Sequence, residues 1–151
     1  MYLYYWSDPA PVIGSGIVDY FGEKLPAYHS MKGVYTPVLV SLEWNLSPYI
    51  IGYEKFFKPG DLFLGKVWLI NDRPHDVPGT LRWAVVKAGE PGKSLLERSL
   101  EVVMPRDSSK TADVIEWSVP RGASGQYEIR MAVSDAGGKT LSENTFELTV
   151  R

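Results

Sequence analysis

The chain contains no cysteine among its 151 residues. This absence excludes disulfide bridges, thiolate metal sites and a cysteine nucleophile. It is typical of a reducing compartment and favours a cytoplasmic location, although secreted proteins without cysteine also occur. Histidine is nearly as scarce, since only His29 and His75 are present, and neither has a partner at the spacing of a metal site. We therefore expect no bound metal.

Positive charge and long apolar runs are also missing. The formal net charge is −2 and the pI is about 5.7, so no basic surface is available for phosphates and nucleic acid is not expected as a partner. No apolar run approaches the roughly 18 residues of a membrane span, and we expect no membrane insertion. Neither a nucleotide-binding glycine motif nor a serine nucleophile elbow occurs, so no cofactor is expected.

Short strands separated by turns fill the last three quarters of the chain. In QYEIRMAVSD, apolar and polar residues alternate, so Tyr127, Ile129, Met131 and Val133 are predicted to face a core. About seven such segments occur. Their regular spacing predicts an all-β, immunoglobulin-like antiparallel β-sandwich. Antibody domains carry a cysteine where this chain has Ile129, so we expect packing alone to hold the sandwich together.

The tryptophans divide by their strand faces. Trp44, Trp83 and Trp117 alternate in phase with aliphatic residues, which predicts that they belong to the core. Trp68 falls on the opposite face from its aliphatic neighbours and is predicted to be exposed. An exposed tryptophan either stacks on a sugar or covers a neighbouring domain.

Residues 1–35 do not follow the strand pattern. Their front stretch, YYWSDPAPVIGSGIVDYFG, is aromatic, rich in glycine and proline, and almost uncharged. We expect an extended segment here, followed by one short helix that begins at Pro26, since proline is tolerated in the first helical turn. The chain is therefore predicted to divide into residues 1–35 and a sandwich over residues 36–151.

Two motifs connect this front region to a known family. The segment VDYFGEKLPAY, residues 18–28, and the segment YTPVLVS, residues 35–41, resemble the C-terminal part of glycoside hydrolase family 2 enzymes, especially their β-mannosidase-like branch. In that family an aromatic stretch ends a (β/α)8 barrel, and a closing helix and a β-sandwich follow it. Leu25 departs slightly from the family pattern, because it separates Lys24 from Pro26.

The resemblance implies a retaining β-glycosidase whose two catalytic glutamates lie about 5–5.5 Å apart. The family's acid/base glutamate normally follows an asparagine, and this chain has no Asn-Glu pair. By the resemblance, both catalytic strands lie upstream of Met1, and the chain has no catalytic residue and is inactive alone. Residues 1–35 would be the remnant of the barrel C-terminus, with Tyr2–Trp6 as its last strand, buried on both faces. Trp6 would form the floor of the sugar subsite, with Asp8 close to it.

These expectations describe a non-catalytic accessory region of a glycosidase in carbohydrate metabolism, whose partner is the catalytic barrel of the same polypeptide. Two alternatives remain open. A stand-alone carbohydrate-binding module would use Trp68 or Trp6 to bind an oligosaccharide. A structural or adhesive immunoglobulin-like domain would use the apolar front segment to form a dimer, because an apolar edge strand is a template for pairing.

Overall fold

The computed structural model describes residues 5–8, 10–11, 16–44, 56–90 and 92–151. The chain forms two compact units, Met1–Thr36 and Pro37–Arg151, which we call the N-terminal unit and the sandwich unit. Residues 2–4, at the start of the predicted strand Tyr2–Trp6, lie outside the described residues. Within the described ranges, no helix combines the length and the apolar character needed to cross a membrane.

The N-terminal unit contains two short strands and one helix. Strands β1 (Tyr5–Ser7) and β2 (Gly16–Val18) pair in parallel. Helix α1 (Pro26–Val34) begins at a proline whose fixed φ suits the first helical turn, and this confirms the predicted helix. Between β2 and α1 the chain turns back on itself, and the Leu25 amide donates to the Ile17 carbonyl at 3.0 Å.

The sandwich unit packs two sheets against each other. One sheet has the strand order β4-β10-β9-β6-β7 and the other has the order β3-β5-β8. Neighbouring strands are antiparallel, except that β4 pairs in parallel with the end of β10. These features confirm the predicted immunoglobulin-like sandwich, with eight strands among the described residues where about seven were expected. The strands are β3 (Val38–Trp44), β4 (Phe56–Phe57), β5 (Leu62–Asn71), β6 (Val77–Lys87), β7 (Ser94–Met104), β8 (Ser108–Ser118), β9 (Gly125–Asp135) and β10 (Thr140–Val150).

The core lies between the inner faces of the two sheets. Tyr127, Ile129, Met131 and Val133 are all buried, as the alternation along β9 predicts. Ile129, for which the sequence pattern predicts packing in place of an antibody-type cysteine, is fully buried. Each fully buried aliphatic side chain contributes about 1.5–3 kcal/mol to stability. Other large side chains with almost no exposure are Phe63, Leu69, Leu81, Met104, Ile115 and Leu148.

Three tryptophans belong to this core, as predicted. Trp83 and Trp117 are buried, and the Trp117 ring lies 5.2 Å from the ring of Tyr127, centroid to centroid. Trp44 is partly buried and meets Phe63 edge to face at 5.6 Å. Edge-to-face pairs at this distance add to the stabilisation that comes from burial.

One long side of the sandwich, where β3 lies beside β10, is closed by neutral groups. The Val40 amide donates to the Ser142 Oγ at 3.2 Å, and the Asn144 Nδ2 donates to the Val40 carbonyl at 3.4 Å. We call this the neutral side. These contacts satisfy backbone groups at the free edge of β3, which would otherwise be a template for pairing with another chain.

The opposite long side, between β7 and β8, is closed by a charged group. The Asp113 Oδ1 accepts a hydrogen bond from the Arg98 Nη1 at 2.8 Å, and its Oδ2 accepts one from the Trp83 Nε1 at 2.8 Å. We call this the charged side. Asp113 therefore connects β8 in one sheet to β6 and β7 in the other.

One end of the sandwich is organised by Asn71, which is fully buried at the end of β5. Its Nδ2 lies 3.0 Å from both the Met104 and the Pro105 carbonyl oxygens and 3.1 Å from that of His75. Its Oδ1 accepts a hydrogen bond from the Arg73 amide at 3.0 Å. The amide group thereby ties the loop after β5 to the turn between β7 and β8.

Candidate functional site

Trp6 and Asp8, to which the family resemblance gives a substrate role, lie at the end of β1. Trp6 is 64% exposed, whereas Asp8 is buried. The Asp8 amide donates to the Val18 carbonyl at 3.0 Å, and the Asp8 Oδ1 accepts from the Gly16 amide at 2.8 Å. The Asp8 carboxylate therefore holds the end of β1 against β2. Burial of this strand on both faces is an expectation for a complete barrel, and in this chain Trp6 reaches solvent.

A groove in the N-terminal unit runs beside Trp6. The rings of Trp6 and Tyr28 meet edge to face, with their centroids 6.0 Å apart, and the Lys24 Nζ lies 5.0 Å from the Tyr28 centroid. The groove has a volume of about 440 Å³. Its lining is mostly apolar and aromatic, which is the composition expected of a surface that binds apolar groups or sugar rings. The lining residues are Trp6, Ile17, Tyr28, Met31, Lys32 and Tyr35.

Much of the apolar surface of this unit is uncovered. Ile17 is its one buried hydrophobic residue among those that the structure describes, while Phe21 is 76% exposed. Large exposed apolar patches are typical of interaction sites, and the contacting rings of Tyr20 and Phe21 form one exposed apolar pair of this unit. The exposed large apolar side chains of the unit are Trp6, Tyr20, Phe21, Val34 and Tyr35.

Trp68 lies on the outer face of the β3-β5-β8 sheet, as its phase along β5 predicts. It is half-buried rather than fully exposed, and its Nε1 donates to the Glu43 Oε2 at 2.8 Å. The Lys66 Nζ lies 3.3 Å from the other carboxylate oxygen of Glu43. Within the sheet, Trp68 is directly opposite Ser41 on β3 and Thr111 on β8. The sequence pattern identified Trp68 but not these partners, since it does not reveal strand pairing.

The same hydrogen bonds affect the ionisation of Glu43. The hydrogen bond from Trp68, followed by that from Lys66, holds the pKa of Glu43 below its ordinary value of 4.5. The carboxyl group is therefore ionised at neutral pH, and it is available as a charged acceptor on the protein surface.

A shallow depression on the outer face of the five-stranded sheet was not anticipated from the sequence. Strand β6 carries RWAV at residues 82–85 and β9 carries RMAV at residues 130–133. Because the strands are antiparallel, Arg82 is opposite Ala132 and Ala84 is opposite Arg130. Arg82 and Arg130 are therefore diagonal neighbours, and together with Ala84 and Ala132 they line a depression of about 900 Å³. The repeated tetrapeptide was the sequence signal that could have revealed it.

The charged side was also missed, although its signal is visible in the sequence. Asp113 shares the strand face of Ile115 and Trp117, so a charged residue stands at a predicted core position. Strand β8 has a β-bulge next to Asp113: Val67 is opposite Asp113 and Trp68 is opposite Thr111, so Ala112 between them is the extra residue. Bulges redirect neighbouring side chains. We regard this cluster as structural, since both carboxylate oxygens of Asp113 already have partners.

Among the described residues, the two histidines have no companions that would make a metal site. His29 is exposed on α1, with its ring 5.5 Å from the ring of Tyr28, and His75 is exposed in the loop after β5. Across the residues that the structure describes, no group of three or more potential ligands among His, Cys, Asp and Glu comes together.

The fold and these surfaces define an immunoglobulin-like β-sandwich domain with an additional N-terminal unit. The family model described as the Mannosidase Ig/CBM-like domain matches residues 66–149, which is more than half of the chain. The chain therefore belongs to the mannosidase Ig/CBM-like domain family.

Solved structures with the same fold come from several proteins. A β-D-mannosidase from Dictyoglomus thermophilum matches with a TM-score of 0.65 at 16% identity, over 96% of this chain and 15% of that chain. A CARDB domain from Pyrococcus furiosus, solved with di-metal ions, matches with a TM-score of 0.54 at 17% identity, over 77% of this chain and 89% of that chain. A β-glucuronidase of glycoside hydrolase family 2 matches with a TM-score of 0.53 at 10% identity, over 76% and 13%.

At these identities the matches establish the fold alone. The chain spans only about one seventh of the length of the two glycosidases. A search of the curated proteins finds no match.

Proposed function

We propose that this chain is the non-catalytic C-terminal accessory region of a retaining β-glycosidase of the β-mannosidase type. In this proposal, the N-terminal unit is the last part of the catalytic (β/α)8 barrel, and the sandwich unit is the accessory domain that follows it. The catalytic glutamates belong to the preceding part of the barrel, and this chain contributes a wall of the active site and support for it.

The observation that carries the proposal is the extent of the mannosidase match. That match takes in 96% of the chain and therefore both units, whereas the matches to the glucuronidase and the CARDB domain take in 76% and 77%.

The uncovered aromatic surface of the N-terminal unit supports the same proposal. Trp6 and Phe21 are mostly exposed, and the unit buries little apolar surface among its described residues. Such a surface is costly in water unless another part of a protein covers it. In the proposal, the remaining strands and helices of the barrel cover it.

The same proposal assigns roles to the residues at the end of β1. The C-terminal ends of barrel strands are where active sites are built, so Trp6 forms the floor of the sugar subsite. Asp8 acts as a positioning residue, because its carboxylate is bonded to the Gly16 amide and fixes the strand end that carries Trp6. Both roles require the complete barrel.

Hydrolysis of 4-nitrophenyl β-D-mannopyranoside tests the proposal. The chain alone is expected to give no turnover, and the DNA upstream of Met1 is expected to encode a barrel that contains an Asn-Glu pair. Expression of that barrel together with this chain should restore hydrolysis. In the complete enzyme, Trp6→Ala should lower kcat/KM by about 100-fold, as expected for a residue that contacts the sugar, while Val103→Ala, at an exposed position of β7, should leave it within about threefold. Turnover by the isolated chain contradicts the proposal, as does an upstream region without a barrel.

A further inference from the structure

We propose that the outer face of the β3-β5-β8 sheet carries a saccharide-binding site centred on Trp68, and that its ligand is a neutral pyranose unit of an oligosaccharide. This site lies entirely in the sandwich unit, and the inference does not depend on the proposed function. It follows from an aromatic ring that is fixed in position and from the polar groups around that ring.

The Trp68 ring is held in place before any ligand arrives. Its Nε1–H donates to the Glu43 Oε2 at 2.8 Å, which restricts the rotation of the side chain. The indole is half-buried, so part of the ring reaches solvent. A pyranose presents an apolar face of C–H groups that packs on an aromatic ring, and a ring that is already ordered binds at a lower entropic cost.

Hydrogen-bonding groups surround the ring on the same face. Glu43 and Lys66 are paired at 3.3 Å, and about half of each side chain is exposed. A carboxylate has about four acceptor positions and an ammonium has three donors, so both retain capacity for sugar hydroxyls. Ser41 and Thr111, the direct cross-strand partners of Trp68, add two hydroxyl groups. This combination of one aromatic ring with a few polar groups suits a saccharide better than it suits an apolar protein partner.

The charge balance of the site indicates a neutral sugar. Glu43 is ionised and is matched by the single ammonium group of Lys66, so the pair leaves no net positive charge for a uronic acid. An acidic sugar would instead be expected to prefer the depression on the other sheet, which contains Arg82. The aromatic residue that lines that depression, Trp83, is buried in the core, so its ring is not available for stacking, and the depression provides a control surface on the same unit.

The test is an NMR titration of the full chain with β-1,4-linked mannotetraose and cellotetraose, and with a glucuronate-containing tetrasaccharide for comparison. The indole N–H resonances of the five tryptophans report where the ligand binds. The Trp68 signal is expected to shift with at least one neutral tetrasaccharide, with a Kd of about 1 mM, as a single stacked ring would give. The signals of Trp83 and Trp117, which are buried, should stay in place.

Four variants separate this site from the rest of the surface, and their affinities are read from the backbone amide signals of β5 and β8, because the two Trp68 variants lack the indole signal. Trp68→Ala should weaken binding at least about tenfold, and Trp68→Phe, which keeps a ring but loses the hydrogen bond to Glu43, should weaken it less. Leu62→Ala, an exposed apolar position on the same strand, and Arg82→Ala, on the other sheet, should leave the affinity unchanged. Thermal unfolding of each variant verifies that it is folded. If Trp68→Ala is not folded, the loss of affinity in Trp68→Phe tests the role of Trp68 instead.

Three results would overturn the inference. The first is that no neutral tetrasaccharide shifts the Trp68 indole signal of the unmodified chain. The second is that binding persists at full strength in Trp68→Phe and Trp68→Ala, or is lost in Arg82→Ala. The third is that the glucuronate-containing tetrasaccharide shifts the Trp68 indole signal with a higher affinity than both neutral ones.

Discussion

Replacement of Asn71 by alanine is a direct test of how the end of the sandwich is held together. The substitution removes a buried amide whose Nδ2 lies 3.0–3.1 Å from three carbonyl oxygens and whose Oδ1 accepts from the Arg73 amide. Two N–H hydrogens are shared among the three acceptors, so the amide makes about three full hydrogen bonds. Each is worth about 1 kcal/mol net, and a buried carbonyl left without a donor costs about 1–3 kcal/mol. We expect Asn71→Ala to reduce the free energy of unfolding by about 3 kcal/mol.

Urea unfolding followed by tryptophan fluorescence measures this free energy. For a domain of about 100 residues, a loss of 3 kcal/mol lowers Tm by about 12 °C or more. Asn144→Ala is the matched control, because its amide is partly exposed and its bond to the Val40 carbonyl is 3.4 Å long. It should cost about 1 kcal/mol or less.

Hydrogen exchange gives a second, local readout of the same prediction. The Arg73 amide donates to the Asn71 Oδ1, so its protection should be lost in Asn71→Ala and kept in Asn144→Ala. A destabilisation no larger than that of Asn144→Ala, or unchanged protection at Arg73, would refute the reasoning that this amide holds the two loops together.

Four further outcomes follow from the structure. Gly79→Ala should reduce the free energy of unfolding in urea by about 3 kcal/mol, because its Cβ would overlap a backbone carbonyl oxygen of β9. Gly122→Ala, with open space around it, should be neutral within about 0.5 kcal/mol, and equal effects of the two substitutions would contradict this. Asp113→Ala should reduce the free energy of unfolding by about 2 kcal/mol, because it leaves the buried indole N–H of Trp83 unpaired. Asp113→Asn, which keeps an acceptor, should reduce it less, and the reverse order would contradict the role given to Asp113 on the charged side. The lowered pKa of Glu43 means that its contribution to stability is present above pH 4.5 and is lost as the pH falls through its folded pKa. The difference in unfolding free energy between the unmodified chain and Glu43→Gln should therefore shrink on acidification. A difference that widens would be inconsistent with this. We expect the chain to self-associate through its apolar N-terminal unit, and Phe21→Ser should shift light scattering toward the monomer; a dimer of unchanged strength would place the contact elsewhere.

The strand faces of the sandwich could be predicted because alternation is a local property. Tyr127 and Ile129 are buried where the pattern placed them, and α1 begins at Pro26 because the constraint on φ is built into that residue. The assignment of strands to two sheets could not be predicted, since it depends on contacts between residues that are distant in sequence. For that reason the acceptor of the Trp68 indole and the arginine–alanine pairing of β6 with β9 emerged only from the fold.

Polar residues at inward positions were the main features that the sequence analysis passed over. Asp113 and Asn144 occupy the same faces as core residues, and a strict reading of the alternation would have marked both as exceptions. A buried polar group must find a partner, so such an exception predicts a hydrogen bond even when its partner is unknown. The structure supplies the partners across the two sheets.

The two long sides of this domain are closed by hydrogen bonds of unequal strength. Both bonds to the Asp113 carboxylate are 2.8 Å long and charge-assisted, whereas those around Val40 are neutral and measure 3.2 and 3.4 Å. Partial separation of the sheets should therefore start between β3 and β10. The backbone groups of β3 would be the first to meet water, and they would then be available to pair with another strand.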